Sequence, residues 1–156
     1  MSAARLLDLA RKAGVMVATA ESCTGGLIAG AITEVAGSSD IFDRGFVTYS
    51  NAAKTEMLGV DPMLIERNGA VSEEVARAMV EGAMARSKVD IAVSVTGVAG
   101  PGASEAKPEG MVCFGLATKD WVRAETVQFG ALGRAGVRKA TVTHALALLI
   151  SAIPNR

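Results

Sequence analysis

Short apolar runs rich in β-branched residues alternate with helical patterns along this 156-residue chain. Runs typical of strands lie at 15–19, 42–49, 90–96, 111–118 and 121–129. Helical patterns fill most of the intervals, at 3–13, 25–36, 51–58, 62–67, 73–86 and 134–152. Strands that alternate with helices form parallel crossovers, whereas Lys119-Asp120 is typical of a tight hairpin between the last two strands. The chain is therefore predicted to fold as a three-layer α/β/α sandwich with a mixed, mostly parallel sheet and a C-terminal β-hairpin plus helix.

Size and charge narrow the class of protein. A chain of 156 residues has the length of one domain, so we predict a single domain over 1–156. Aromatic residues make up 4% of the chain, so its core is expected to be aliphatic. Sixteen basic residues balance sixteen acidic ones, which removes any global electrostatic argument for binding nucleic acid or an anionic membrane.

The cysteines, the histidine and the hydropathy pattern predict a soluble cytoplasmic protein without a metal. Charged residues such as Arg5 and Asp8 interrupt the apolar positions that a signal peptide would need. No run approaches the roughly 20 apolar residues of a membrane span. Cys23 and Cys113 lack both metal spacing and the density of a disulfide framework, and His144 is the sole histidine.

The first candidate site is Glu21-Ser22-Cys23-Thr24-Gly25-Gly26, where a predicted strand meets a predicted helix. Free N–H groups at such a turn can bind an anion or an oxyanion, and the two glycines allow close approach. Ser22, Cys23 and Thr24 are adjacent potential nucleophiles, and a thiol at a helix N-terminus can have a lowered pKa. The alternative is structural, because Ser22 or Thr24 could simply cap the helix.

A serine nucleophile requires a base. His144 lies inside the last helical pattern, where a lone histidine is more often structural. Lys54 is predicted in the first turn of a helix that begins near Asn51, so the helix dipole disfavours its ammonium form. Burial would act in the same direction and favour the neutral amine that a Ser-Lys dyad needs. An ordinary solvated lysine is the alternative.

A glycine-rich segment, Thr96-Gly97-Val98-Ala99-Gly100-Pro101-Gly102, follows another predicted strand. Ligands of open α/β sheets bind beyond the carboxyl ends of strands, and the backbone N–H groups here suit a phosphate or a carboxamide. The segment matches neither a P-loop nor a dinucleotide fingerprint, and it could be a simple flexible connection. Arg134 and Arg138, four residues apart, could either reach a phosphate or form a solvated helix face.

These segments in this order resemble the C-terminal domain of CinA (competence/damage-inducible protein A) over nearly the whole chain. The resemblance is carried by the motifs at 21–26, at 49–51 with Lys54, and at 96–101, together with the runs at 69–72, 107–110 and 137–138. Full-length members of the family also carry an amino-terminal molybdopterin-binding-like domain. That domain is absent from this sequence, so the stand-alone form is expected.

The resemblance implies a nicotinamide-nucleotide amidase, which converts nicotinamide mononucleotide and water into nicotinate mononucleotide and ammonia. In the family pattern Ser22 is the nucleophile, Lys54 its general base, and Tyr49 orients the dyad or the carboxamide. The residues expected to bind substrate are Cys23, Thr24, Gly25, Gly26, Asn51, Thr96, Gly97, Gly100, Gly102, Arg134 and Arg138. The resemblance further implies a small nucleotide substrate, no metal or organic cofactor, and a homo-oligomer.

One position departs from the family pattern. Members commonly carry Gly-Asp-Arg before the last helix, whereas this chain has Leu132-Gly133-Arg134, which predicts lower local order or substrate affinity there. Two other functions remain open from the residues. The chain could be a non-catalytic nucleotide-binding or regulatory module with the same pocket, or an amidase that uses Cys23.

Overall fold

The computed structural model describes residues 2–154 and contains an open five-stranded sheet. Its strands are β1 (Val17–Glu21), β2 (Phe42–Val47), β3 (Ile91–Gly97), β4 (Met111–Thr118) and β5 (Val122–Gln128). They lie in the order β2-β1-β3-β4-β5. β1 is parallel to both β2 and β3, whereas β4 is antiparallel to both β3 and β5. Four of the described strands thus share one direction, and the predicted mixed, mostly parallel sheet is confirmed.

Six helices surround this sheet in the described part of the chain. They are α1 (Ser2–Ala13), α2 (Leu27–Thr33), α3 (Asn51–Leu58), α4 (Pro62–Asn68), α5 (Glu73–Ala85) and α6 (Gly133–Ala152). A short 3-10 turn at Ser38–Asp40 follows α2. None of the helices within 2–154 is long and apolar enough to cross a bilayer.

The alternation of residues along the strands divides the core into two parts. Val17, Ile91 and Val93 belong to one buried cluster, together with residues of α1, α2 and α6. Ala18 and Ala92 belong to a second cluster, together with residues of α3, α4 and α5. Because successive side chains of a strand point to opposite faces, the helices cover both faces of the sheet. Large side chains fill the first face, and alanines on the second let α5 pack closely.

Local capping determines where α3, the helix that carries Lys54, begins and ends. Ser50 precedes the helix, and its hydroxyl accepts the N–H of Ala53 at 3.0 Å. Gly59 ends the helix in the left-handed region with φ of 70°. Both boundaries match the prediction from sequence.

The elements around the first candidate site differ from the prediction. β1 lies two residues further along the chain than the predicted 15–19, and its last residue, Glu21, pairs with both Val47 and Val95. The predicted helix over 25–36 is shorter at both ends and spans Leu27–Thr33. Its start is delayed because Gly25 and Gly26 have φ values of 57° and 105°, outside the helical region. Ser22 therefore follows the strand directly and stands five residues before α2.

Candidate active site

The three predicted segments meet at one edge of the sheet. β1 and β3 are adjacent and parallel, so Ser22 after β1 lies beside the end of β3, and its N–H donates to the carbonyl of Val95 at 3.2 Å. β2 flanks β1 on the other side and leads into α3, which carries Lys54. Parallel crossovers thus bring the carboxyl ends of three strands together.

Ser22 and Lys54 form a buried pair. The Nζ of Lys54 lies 3.1 Å from the Oγ of Ser22, although the residues are 32 positions apart. The same Nζ donates to the carbonyl oxygens of Thr48 at 3.0 Å and Tyr49 at 3.3 Å. Lys54 is 1% exposed, and this desolvation lowers the pKa of its ammonium below the ordinary value. The arrangement favours an uncharged amine against the serine hydroxyl.

Cys23 differs from Ser22 in its electrostatic environment. Burial raises the pKa of its thiol to about 11, and the nearby Glu21 carboxylate acts in the same direction. The N–H groups of Cys23 and Gly97 oppose this change but do not outweigh it. The argument that a helix N-terminus lowers the pKa of this thiol is therefore wrong here, because desolvation dominates. Little thiolate forms at neutral pH.

Glu21 organises the turn, a role that the sequence motif did not reveal. Its fully buried carboxylate accepts the hydroxyl of Thr24 at 2.5 Å and the N–H groups of Ile28 and Ala29 at 2.9 and 3.0 Å. Gly26, the N-cap residue of α2, offers no side-chain cap. Glu21 therefore satisfies the start of α2 in place of the predicted Ser22 or Thr24. The signal for this role in the sequence is an acidic residue a few positions before a helix whose N-cap residue is glycine.

Three N–H groups of the turn, those of Cys23, Thr24 and Gly26, donate to no oxygen atom in the described structure. The N–H of Gly25 donates to the carbonyl of Ser22 at 3.0 Å. Next to a nucleophile, unpaired N–H groups are suited to bind an oxyanion. Cys23 lines the cavity beside Ser22, whereas Thr24 is fully buried and does not, so the N–H of Cys23 is the donor that a ligand in the cavity can reach.

A cavity of about 280 Å³ opens beside the Ser22–Lys54 pair. Eight of the residues expected to bind substrate or orient the dyad line it: Cys23, Tyr49, Asn51, Thr96, Gly97, Gly100, Gly102 and Arg134. Thr24, Gly25, Gly26 and Arg138 are not among the described residues that line this cavity. The buried hydroxyl of Thr96 donates to the carbonyl of Ala70 at 2.8 Å, which holds the cavity wall to the segment before α5.

Arg134 and Glu109 connect the loop after β3 to the start of α6. The guanidinium of Arg134 donates to the carbonyl of Gly100 at 2.7 Å and to the hydroxyl of Tyr49 at 2.8 Å. The carboxylate of Glu109 accepts the N–H of Gly102 at 2.8 Å and the N–H of Gly133 at 2.9 Å. The Gly133 backbone thus anchors the start of α6 through Glu109.

Arg138 lies one helical turn beyond Arg134 and has different partners. Its Nε donates to the carbonyl of Cys23 and its Nη2 to the carbonyl of Thr24, both at 3.2 Å. Arg138 therefore contacts the backbone of the nucleophile turn, outside the cavity.

His144 belongs to neither the cavity nor the dyad. Its Nε2 lies 3.3 Å from Glu125, and its ring packs 4.5 Å from that of Phe114. A Ser-His arrangement is not formed, since the partner of Ser22 is Lys54. Residues 2–154 contain no cluster of three His, Cys, Asp or Glu side chains placed to hold a metal ion.

Comparison with known proteins agrees with the fold and the motifs. The family model of the CinA C-terminal domain matches residues 1–153, so the chain belongs to the CinA C-terminal domain family. Nicotinamide-nucleotide amidohydrolase PncC of Enterobacter agglomerans is 60% identical over 108 residues, which are 69% of this chain and 66% of that protein. A CinA-like protein of Chlorobium phaeobacteroides (strain BS1) is 59% identical over 126 residues, 78% of this chain and 30% of that protein.

A solved structure shows the same architecture. Competence/damage inducible protein CihA from Agrobacterium tumefaciens superposes with a TM-score of 0.93 at 49% identity, covering 96% of this chain and 92% of that chain. Apart from the PncC protein, the chain spans about a third of the length of the first curated relatives it matches. The family resemblance inferred from the motifs is confirmed.

Proposed function

We propose that this protein hydrolyses the carboxamide of nicotinamide mononucleotide to nicotinate mononucleotide and ammonia, with Ser22 as nucleophile and Lys54 as its general base. The observation that carries the proposal is the 3.1 Å contact between Ser22 Oγ and Lys54 Nζ at the wall of a cavity. The similarity to an amidohydrolase of nicotinamide nucleotides supports the reaction class.

The partners of Lys54 fit a neutral amine. An ammonium would donate to all three oxygens around Nζ, those of Ser22, Thr48 and Tyr49, whereas a neutral amine has two N–H donors and one lone pair. The carbonyl oxygens of Thr48 and Tyr49 accept the two donors, so the lone pair is left for the hydroxyl proton of Ser22. A separation of 3.1 Å is within reach for proton transfer. Since the Cys23 thiol is uncharged at neutral pH, no thiolate nearby restores the ammonium form.

The reaction then proceeds by acyl transfer. Lys54 takes the proton of Ser22 while Oγ bonds to the carboxamide carbon, and the N–H group of Cys23 stabilises the oxyanion. The carbon–nitrogen bond breaks, and the Lys54 ammonium protonates the departing amide nitrogen to give ammonia. Lys54 next accepts a proton from water, whose oxygen attacks the ester. Collapse of this second intermediate breaks the bond to Oγ, returns the proton to Ser22 and releases the carboxylate product.

The phosphate of the substrate requires a cation, and Arg134 is the residue we assign to it. Within the described chain Arg134 donates to two uncharged oxygens and pairs with no carboxylate. A neighbouring cavity of about 610 Å³ shares Asn51 and Glu105 with the first. Glu56 and Glu66 also line it, so its carboxylates would repel a phosphate. The phosphate is therefore assigned to the Arg134 side.

We also propose that copies of the chain associate, as the family resemblance implies. Leu27, Val47 and Leu132 are large apolar side chains that are about half exposed, at 44%, 44% and 54%. Light scattering coupled to size-exclusion chromatography tests this, and a monomer at micromolar concentration would contradict it.

The test is ammonia release from nicotinamide mononucleotide by the wild type and by Ser22→Ala, with the nucleotide products separated by chromatography. Ser22→Ala should lose all but residual turnover, whereas the exposed Ser151→Ala is a matched control that should keep it. Undiminished release of ammonia by Ser22→Ala would refute the proposal. Loss of turnover in Cys23→Ala but not in Ser22→Ala would support the thiol route, and tight binding without ammonia would support a binding module.

A further inference from the structure

We propose that Glu21 and Arg138 are a pair of positioning residues that hold the nucleophile turn from opposite sides and keep the N–H of Cys23 oriented for the oxyanion. This inference rests on the proposed amidase function, and it assigns the two residues no contact with substrate. Arg138 is thereby separated in role from Arg134, which stands one helical turn away on the same helix.

The contacts of Arg138 determine the orientation of two peptide groups. In a planar trans peptide the carbonyl and the N–H point in opposite directions. The carbonyl of Thr24 is bound by Arg138, and the N–H of the same peptide, on Gly25, donates to the carbonyl of Ser22. The carbonyl of Cys23 is also bound by Arg138, so the N–H of Thr24 points away from the guanidinium. The Ser22 carbonyl that Gly25 binds belongs to the same peptide as the Cys23 N–H, so Arg138 also fixes the orientation of that N–H through Gly25.

Glu21 holds the same turn through side-chain and helix contacts. Its carboxylate binds the hydroxyl of Thr24 and the first N–H groups of α2. Thr24 is thus attached to Glu21 by its side chain and to Arg138 by its carbonyl. With both attachments in place, the peptide between Cys23 and Thr24 cannot rotate without breaking a charge-assisted hydrogen bond.

The guanidinium also polarises the peptide that it holds. A hydrogen bond to a carbonyl strengthens the donor on the other end of the same peptide. A cation on the Thr24 carbonyl therefore strengthens the Gly25 N–H as a donor to the Ser22 carbonyl, and this bond in turn strengthens the Cys23 N–H toward developing negative charge. Since that charge exists in the transition state and not in the bound substrate, the effect belongs to kcat rather than to KM.

The experiment measures kcat and KM for ammonia release in Arg138→Gln, Arg138→Lys and Arg134→Gln. We expect Arg138→Gln to lower kcat about 100-fold, the cost of a small misplacement of catalytic groups, with KM within about threefold of wild type. Arg138→Lys should recover part of kcat, since an ammonium replaces the charge but not the two-pronged geometry. Arg134→Gln should instead raise KM, and Lys139→Gln, an exposed change on the same helix, should leave both constants unchanged.

A wild-type kcat in Arg138→Gln, or an effect confined to KM, would refute the proposed positioning role of Arg138. The thermal midpoint of each variant is measured alongside, so that a folding defect is recognised. Amide NMR keeps the test independent of turnover, because Arg138→Gln should shift the Thr24 and Gly25 amide signals and speed hydrogen exchange at Gly25. Unchanged signals would contradict the inference even if the wild type released no ammonia, an outcome that would itself refute the proposed function.

The positioning role of Glu21 is tested by Glu21→Gln and, should that variant fail to fold, by Thr24→Val. The latter keeps the shape of the side chain and removes the hydroxyl that Glu21 accepts. Each is expected to lower kcat about tenfold with KM little changed, an effect smaller than that of Arg138 because other contacts of the turn remain. Wild-type kcat in a folded Glu21→Gln, or in Thr24→Val where that variant replaces it, would show that Arg138 acts without Glu21.

Discussion

The turn after β1 and the loop after β3 lie at the same edge of the sheet, but they are built differently. Ser22, Cys23 and Thr24 are buried, and the turn is held by a buried carboxylate and by a guanidinium. The loop from 98 to 110 is exposed over 101–106, and Glu105 and Ala106 adopt positive φ values of 50° and 62°. Exposed segments of this kind tolerate movement, whereas the turn can move little without loss of buried hydrogen bonds.

This difference assigns the chemical step of the proposed reaction to the turn and substrate recognition to the loop. Acyl transfer depends on sub-ångström placement of the nucleophile, the base and the oxyanion donor, which the buried turn provides. Substrate recognition needs a surface that can admit and release a nucleotide, which suits the loop with Gly100 and Arg134. Changes in the turn should therefore act on kcat, and changes in the loop on KM.

The largest effect is expected for Lys54→Met, which removes the proposed base that contacts Ser22 in the turn. We predict that kcat/KM for ammonia release falls about a thousandfold or more, within the range for loss of a general base. The exposed Lys88→Met controls for loss of a lysine elsewhere and should be fully active. Full activity in Lys54→Met would place the base outside the described pair.

The second prediction tests how completely the turn excludes solvent from the Cys23 thiol. Because burial raises the pKa of the Cys23 thiol to about 11, its thiolate is scarce at pH 7.5. Alkylation by iodoacetamide, followed by intact mass, should be about 100-fold slower than for a free cysteine and should speed up as pH rises. The pKa of Cys113 is also raised by burial, so both thiols should react rapidly only after unfolding in urea. Fast labelling of Cys23 in the folded protein would contradict the buried turn.

A smaller effect is expected on the loop side. Gly100 has φ of 89°, and an added Cβ would lie 2.6 Å from the carboxyl carbon of Glu109. Gly100→Ala should displace the loop and raise KM about tenfold with a modest change in kcat, since the left-handed conformation alone costs an alanine about 1 kcal/mol. Gly102 has φ of 80° but open space around its Cβ position, so Gly102→Ala is the matched variant with backbone strain alone. A larger loss of kcat than of KM in Gly100→Ala would remove the distinction between the two regions.

The smallest effect concerns stability. The pKa of Lys54 is lowered in the folded protein from an ordinary value of 10.5, so between the lowered value and 10.5 the unfolded chain binds more protons. Stability of the wild type should therefore rise with pH across this window, and Lys54→Met should remove that rise. The Tm difference between variant and wild type should therefore shift against the variant as pH rises toward 10.5, and thermal unfolding of both proteins at a series of pH values measures it. A Tm difference that does not change with pH would contradict the lowered pKa of Lys54 in the folded protein.

Much of the fold was predictable because its signals are local. The helix periods, the serine caps before α3 and α5, and the hairpin at Lys119-Asp120 depend on residues within a few positions of one another. The first strand and helix were misplaced by two or three residues. There Gly25 and Gly26 delay the helix, and a buried charge, Glu21, ends the strand, which no hydropathy pattern predicts.

The sequence by itself determined the sheet class, the family and the set of chemically capable residues. Only the tertiary structure decided which of them meet. Lys54 reaches Ser22 across 32 residues, and Arg138 reaches the carbonyls of Cys23 and Thr24 across more than a hundred, because parallel crossovers and α6 converge on one sheet edge. Burial likewise determines which of these side chains is reactive, because desolvation lowers the pKa of Lys54 and raises that of Cys23. Desolvation depends on what packs around a group, and the order of residues in the chain does not show it.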